Sequence, residues 1–131
     1  MYMLDTNICI YVIKQRPPSI LEKFNTVPTD SLCISIISIA ELQYGVERSR
    51  SKKLNQSVLT DFIARLTVHP WNMAAARQYG QLRTDLEQKG PPIGNMDLLI
   101  AAHALSRGDT LVSNNLREFE RVENLDCENW V

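Results

Sequence analysis

Between Met96 and Arg107 the chain carries a helical pattern that is apolar on nearly every side, with Leu98, Leu99, Ile100, Ala101, Ala102 and Ala104 in succession around the turn. A helix of that kind must be covered all round, so it has to be buried. Short apolar runs supply candidate neighbours: Met1–Leu4, Leu32–Ile36, Thr67–His69 and Thr110–Ser113 read as strands. Helical patterns separate them, at Ile8–Lys14, Asn55–Leu66 and Asn72–Lys89. Strands alternating with helices predict one α/β domain over residues 1–131, a central parallel sheet flanked by helices on both faces.

Local signals punctuate that pattern. Asp5-Thr6-Asn7 offers capping residues at the start of the first helix, and Pro17 and Pro18 end it. Ser19-x-x-Glu22 and Ser38-x-x-Glu41 have capping-box spacing, predicting two more helix starts, the second weakened by Gly45. Gly90 and Gly108 stand where helices should stop, and Asn95 is placed to cap the apolar helix.

Three acids stand out by position. Asp5 directly follows the first strand, Glu41 is expected in the first turn of a helix, and Asp97 in the first turn of the apolar helix. Each has a structural explanation alone: Asp5 as a helix cap, Glu41 as half of a capping box, Asp97 as a complement to the helix dipole. In a parallel sheet, however, ligands collect beyond the carboxyl ends of the strands, where Asp5 and Ser113-Asn114-Asn115 both lie. If the three acids converge there, no Lys or Arg within two residues neutralises any of them. A divalent cation would, and an all-oxygen donor set favours Mg²⁺ or Mn²⁺ over zinc. Such a centre suits phosphodiester hydrolysis by metal-activated water.

Composition bears on the rest. Net charge is −1, which argues against a protein that coats nucleic acid but leaves room for an enzyme gripping a few nucleotides. Arg48, Arg50, Lys52 and Lys53 form a local basic stretch, read either as part of such a grip or as a solvated helix end and loop. Cys9, Cys33 and Cys127 lack CxxC spacing and read as reduced, packed thiols. No tract is apolar enough to cross a bilayer and no basic n-region opens the chain, so the expectation is a cytoplasmic protein with no membrane partner. His103 reads as a satisfied core histidine, and Trp71, Tyr79 and Trp130 as packing residues in preference to base-stacking ones.

Three blocks in order, Met3-Leu4-Asp5-Thr6-Asn7, Ile39-Ala40-Glu41-Leu42-Gln43-Tyr44-Gly45 and Pro92-Ile93-Gly94-Asn95-Met96-Asp97-Leu98-Leu99-Ile100-Ala101-Ala102-His103-Ala104, resemble PIN-domain proteins, most nearly the VapC-type toxins of bacterial toxin–antitoxin pairs. Val112-Ser113-Asn114-Asn115-Leu116-Arg117-Glu118-Phe119-Glu120-Arg121-Val122 is similar to them too. The resemblance implies an α/β/α PIN fold and a Mg²⁺- or Mn²⁺-dependent endoribonuclease toxin. Its substrate would be structured RNA, tRNA cut in the anticodon region and initiator tRNA among the candidates. It further implies a homodimer and inhibition by a cognate VapB-type antitoxin whose tail occupies the site. On that reading Asp5, Glu41 and Asp97 are the catalytic, metal-holding acids, with Thr6 and Ser113 as hydroxyls that support the ligating carboxylates or water. The family commonly has a fourth acid where this chain has Asn115, so Asn115, Glu118 and Glu120 all remain candidates for that place, and a second metal is in question.

Two other readings compete. A phosphatase with an aspartate nucleophile wants a second Asp two residues after Asp5, where Asn7 stands. A non-catalytic PIN-like regulatory module draws its support from Asn115. For phosphate contacts the sequence offers Arg83, Arg107 and Arg117, each equally readable as a surface residue.

Overall fold

The computed structural model describes all 131 residues. In chain order the elements are β1 (Tyr2–Leu4), α1 (Thr6–Lys14), α2 (Pro18–Thr26), a 3₁₀ turn at Thr29–Ser31, β2 (Leu32–Ser35), α3 (Ile36–Glu47), α4 (Lys52–Ile63) and β3 (Thr67–His69). There follow α5 (Met73–Lys89), α6 (Asn95–Arg107), β4 (Thr110–Val112), α7 (Leu116–Phe119) and β5 (Cys127–Glu128).

All strand pairs are parallel, in the order β3-β2-β1-β4-β5. The chain therefore moves outward from β1 on one side, then returns to the other side of β1 for β4 and β5. That reversal makes the carboxyl ends of β1 and β4 the switch point, where a doubly wound sheet opens a crevice.

Alternation along the strands splits the core in two. Leu4, Leu32, Ile34 and Val112 pack under α1–α4 with Ile8, Phe24, Leu42 and Phe62. Met3, Cys33 and Leu111 face the other way, against α5, α6 and α7 through Leu82, Leu86, Ile100 and Phe119. As its composition demands, α6 buries Leu98 and an unbroken run from Ile100 to Ala104. Gly108, at φ 72°, closes it in the left-handed conformation that glycine adopts without a Cβ penalty. No helix is long and apolar enough to cross a membrane.

Several boundaries differ from the sequence reading. Neither expected capping box forms: α2 opens at Pro18 with no side-chain cap, and α3 is capped by Ser35, whose Oγ accepts from the Ile37 N–H at 3.1 Å. Ser35 already has the extended backbone a cap requires, so the helix starts at the strand's end and Ser38 falls inside it. The first turn of α3 then holds no acid, and Glu41 lies in the second. Strand β2 stops at Ser35 for the same reason. Helix α4 begins at Lys52 instead of Asn55, α6 is capped by Gly94 instead of Asn95, and α7 was not anticipated.

Two substitutions test this packing. Gly80 sits mid-α5, exposed, with nothing within 4 Å of a built Cβ. Gly80→Ala should raise stability by about 0.5–1 kcal/mol through lower unfolded-state entropy. Ile100→Ala, at a fully buried position, should lower it by about 2–5 kcal/mol. Urea unfolding of both variants checks the signs.

Candidate active site

Asp5 is placed by the sheet. Its N–H donates to the Val112 carbonyl at 3.0 Å, continuing the β1–β4 ladder by one residue, while its Oδ1 accepts from the Ile8 N–H at 2.9 Å and caps α1. One residue thus ends a strand and starts a helix, and its side chain has little freedom. It is 4% exposed. Burial pushes the carboxyl up to about 6, against the Ser113 hydroxyl and the Ile8 amide, and the charges of Asp97 and Glu41 push it further in the same direction.

Glu41 comes from the second turn of α3 and is half-buried. The Thr6 hydroxyl, in the first turn of α1, donates to its Oε1 at 2.5 Å and so ties α3 to the cap of α1. Asp97 lies in the first turn of α6, near enough to Gly94 that a Cβ built there would lie 3.9 Å from its Oδ2. Its carboxyl is also raised, first by burial, then by Glu41 and Glu118. Ser113, fully buried after β4, accepts from the Asn115 N–H at 2.9 Å.

Asp5 therefore feels the charges of Asp97 and Glu41, Asp97 feels that of Glu41, and none of the three takes part in an ion pair. They gather without closing: no three His, Cys, Asp or Glu side chains are grouped tightly enough to hold an ion between them. A buried carboxylate beside two others and without a basic neighbour nonetheless fits a hard cation. Mg²⁺ in particular needs only one or two direct carboxylates and keeps much of its water.

The candidates for the fourth acidic place separate. Glu118 raises the Asp97 carboxyl and so belongs to the cluster, although its Oε2 also meets Arg121 at 3.5 Å. Glu120 is exposed and acts on the Cys127 thiol instead. Asn115 caps α7 through its backbone only.

Among the proposed phosphate contacts, Arg107 is misplaced. It ends α6 and pairs with the buried Asp109 at 2.7 Å, beside the amino end of β1, on the rim opposite Asp5. Arg83 is occupied by Glu87 and Tyr79, both at 2.9 Å. Arg117 is exposed and forms no ion pair. His103 is buried, with Nδ1 2.7 Å from Ser35 Oγ, and packs in the core. Trp71 packs edge-on against Tyr79 and donates to the Leu99 carbonyl, while Trp130 is buried against Tyr2. The sequence reading missed Tyr44, which is 64% exposed and carries the Arg48 guanidinium 5.2 Å from its ring centroid. Its spacing of three residues from Glu41 was the available signal.

Comparison with known proteins places the sequence and the fold. The PIN-domain family model matches residues 2–125. "Ribonuclease VapC2" of Haemophilus influenzae is 51% identical over 130 residues, 99% of this chain and 98% of that protein. "tRNA(fMet)-specific endonuclease VapC" of Shigella flexneri is 46% identical over 98% of this chain and 97% of its own. The crystal structure of VapBC2 from Rickettsia felis bound to a DNA fragment from its promoter contains a chain that superposes with a TM-score of 0.93 at 48% identity, covering 99% of this chain and 98% of that one.

The raised Asp5 carboxyl has a consequence for stability. Its ordinary value is 3.8, so between about pH 4 and 6 the folded chain holds a proton that the unfolded chain has released. Stability therefore falls as pH rises through that window, by about 3 kcal/mol once both states are ionised. Asp97 acts in the same sense, whereas the lowered His69 and His103 act in the opposite one. The readout is thus the difference between wild type and Asp5→Asn, which keeps the cap. Without divalent ions the variant should unfold at higher temperature than wild type at pH 7.5, with the gap closing by pH 4. Millimolar Mg²⁺ should raise the wild-type transition at pH 7.5 and leave the variant's nearly unmoved; a variant less stable than wild type in metal-free buffer contradicts the account.

Proposed function

The chain belongs to the PIN-domain family, in its VapC ribonuclease branch, and on that premise we propose that it is the endoribonuclease toxin of a toxin–antitoxin pair, cutting structured RNA at the centre built by Asp5, Glu41 and Asp97. The observation that carries this reading is the buried Asp5 carboxyl, pushed up to about 6 beside two further acids with no cationic side chain to neutralise it. PIN-domain ribonucleases as a class depend on a metal. Here the ion would be Mg²⁺ or Mn²⁺, held through Asp5 and Asp97 with Glu41 completing the set. When bound, it supplies the charge neutralisation and water activation that phosphodiester hydrolysis needs.

The chain's own residues do the positioning. The cap on α1 fixes Asp5, the Thr6 hydroxyl holds Glu41, and Ser113 braces the Asp5 carboxyl from the end of β4. Glu118 adds negative charge beside Asp97, in the place where Asn115 contributes none. Four carboxylates repel a phosphodiester, so RNA can approach only when a cation offsets them. That repulsion makes metal dependence a property of the protein as well as of the chemistry.

The relative named as a tRNA(fMet)-specific endonuclease supports tRNA, initiator tRNA included, as the substrate, with the anticodon region as the place of cleavage. Such a substrate puts the protein at work in the cytoplasm. A VapB-type antitoxin is the partner, supported by the VapBC complex that the chain superposes on. A cavity of about 390 Å³ beside Glu41, with Ile10, Ile13, Leu42, Val46 and Val58 in its wall, offers apolar cover for an antitoxin tail. We further expect a homodimer.

Asp5→Asn and Asp97→Asn should each lower kcat by roughly a hundredfold or more while leaving the fold intact. In cells, a pulse of wild-type expression should arrest growth and produce discrete new RNA 5′ ends, and Asp97→Asn should do neither. New ends in both strains, or in neither, would falsify the assignment and favour a non-catalytic module.

A further inference from the structure

We propose that the solvent face of α3 beyond Glu41 is a path by which an unpaired stretch of a structured RNA enters the active centre, with Tyr44 as a base-stacking platform and the α3–α4 turn as its phosphate grip. The proposal rests on the ribonuclease reading and says where the substrate lies. At 3.6 residues per turn, Tyr44 and Arg48 fall within about 60° of Glu41 around the helix, and about 4.5 and 10.5 Å further along its axis. A stripe on one helix face thus runs from an acid of the centre to an aromatic ring and then to a guanidinium.

Three observations distinguish this stripe from ordinary surface. Tyr44 is the only exposed aromatic residue of nine; the other eight are buried or half-buried. Its ring is held open to solvent with Arg48 over its face, an arrangement that can accept a base by stacking on the ring and the guanidinium plane. Second, Arg48, Arg50, Lys52 and Lys53 are all exposed and form no ion pair, and although six more of the fourteen Lys and Arg are also unpaired, no other six-residue stretch gathers four of them. Four free cations within six residues are a strong local field in a chain of net charge −1. Third, Lys52 and Lys53 occupy the first turn of α4, where no acid and no side-chain cap offsets them. Cations there oppose the helix dipole, so the fold gains nothing from them, but a phosphate would be drawn by the lysines and by the free N–H groups together.

The stripe also answers a need the acidic centre creates. A cluster of carboxylates cannot hold a polyanion by itself, so affinity for RNA has to come from cations close by. The apolar cavity beside Glu41 lacks them apart from Lys14, and its wall suits a protein segment better. The α3 face, by contrast, is polar and charged from Tyr44 outward.

The test uses the full chain carrying Asp97→Asn, which separates binding from cleavage, and a fluorescein-labelled single-stranded oligoribonucleotide of about ten nucleotides. Adding Tyr44→Ala should weaken binding about tenfold, and Tyr44→Phe should restore it to within about twofold. Arg50→Gln with Lys52→Gln should flatten the dependence of log K on log salt by about 1.4, two phosphate contacts at about 0.7 each. With Asp97 intact, Tyr44→Ala should raise KM for RNA and leave kcat nearly unchanged. Binding and KM indifferent to Tyr44 in a chain that still cuts RNA would overturn the path and leave the ribonuclease reading standing. Binding through Tyr44 in a chain that cuts nothing would do the reverse. Should the substitutions change only self-association or antitoxin affinity, the face is a protein interface and the proposal is wrong.

Discussion

Everything in this fold that bears on chemistry depends on keeping one carboxylate, Asp5, out of water at the end of the central strand. Burial raises its affinity for a proton and two neighbouring acids raise it further, so the folded state carries a standing electrostatic cost. The backbone enforces the placement regardless. The Asp5 N–H is committed to the β4 ladder and the carboxylate to the first turn of α1, so no small rotation relieves the repulsion without breaking a hydrogen bond. Because the strand order reverses beside β1, that end of the sheet is also the one place where the covering helices part.

How much of this was legible in the sequence follows from which signals are local. The strand–Asp–helix junction at Asp5 is local, so both its fold and its placement could be read. So could the burial of α6, since a helix apolar on nearly every side has only one destination. The spacing of Ser38 and Glu41 fits a capping box and predicts a helix start at Ser38, but Ser35, already extended at the strand's end, is the better cap and moves the helix start upstream. Arg107 shows a different limit. Its place on the amino rim depends on the length of α6, which spans the sheet and delivers Asp97 and Arg107 to opposite edges. Choosing between Glu118 and Glu120 required knowing how α7 sits, and α7 is too short to announce itself by periodicity.

Charge is divided across the molecule in a way that net charge conceals. One cluster of carboxylates stands at the sheet's crevice and one cluster of unpaired cations at the α3–α4 turn, and α3 joins the two. An enzyme acting on a polyanion needs both: acids to hold a metal and bases to hold the chain, far enough apart not to neutralise each other. Were Arg48 or Lys52 beside Asp5, they would pair with it, and the site would lose its reason to bind a cation. Helix α3 therefore acts as a spacer as well as a carrier of Glu41.

The strand registers sharpen this division. Extending the pairs by a residue or two sets His69, Ser35, Asp5 and Ser113 side by side along the carboxyl rim. Asp5 is the one anion in that row, and Ser35 beside it ends its strand and caps the following helix in the same way. The junction alone is thus indifferent to charge, and what makes it a candidate metal centre is the arrival of other acids on helices. The helices that carry Glu41 and Asp97 are held by packing, through Leu42 and Val46 under α3 and through Leu98 and Ile100 under α6, with one side-chain hydrogen bond from Thr6 to Glu41, where Asp5 is held by backbone hydrogen bonds. The centre accordingly has one member fixed by the sheet and two that can adjust by the small shifts packed helices allow. A cluster that gathers its acids without closing on them, as this one does, would close only by such a shift.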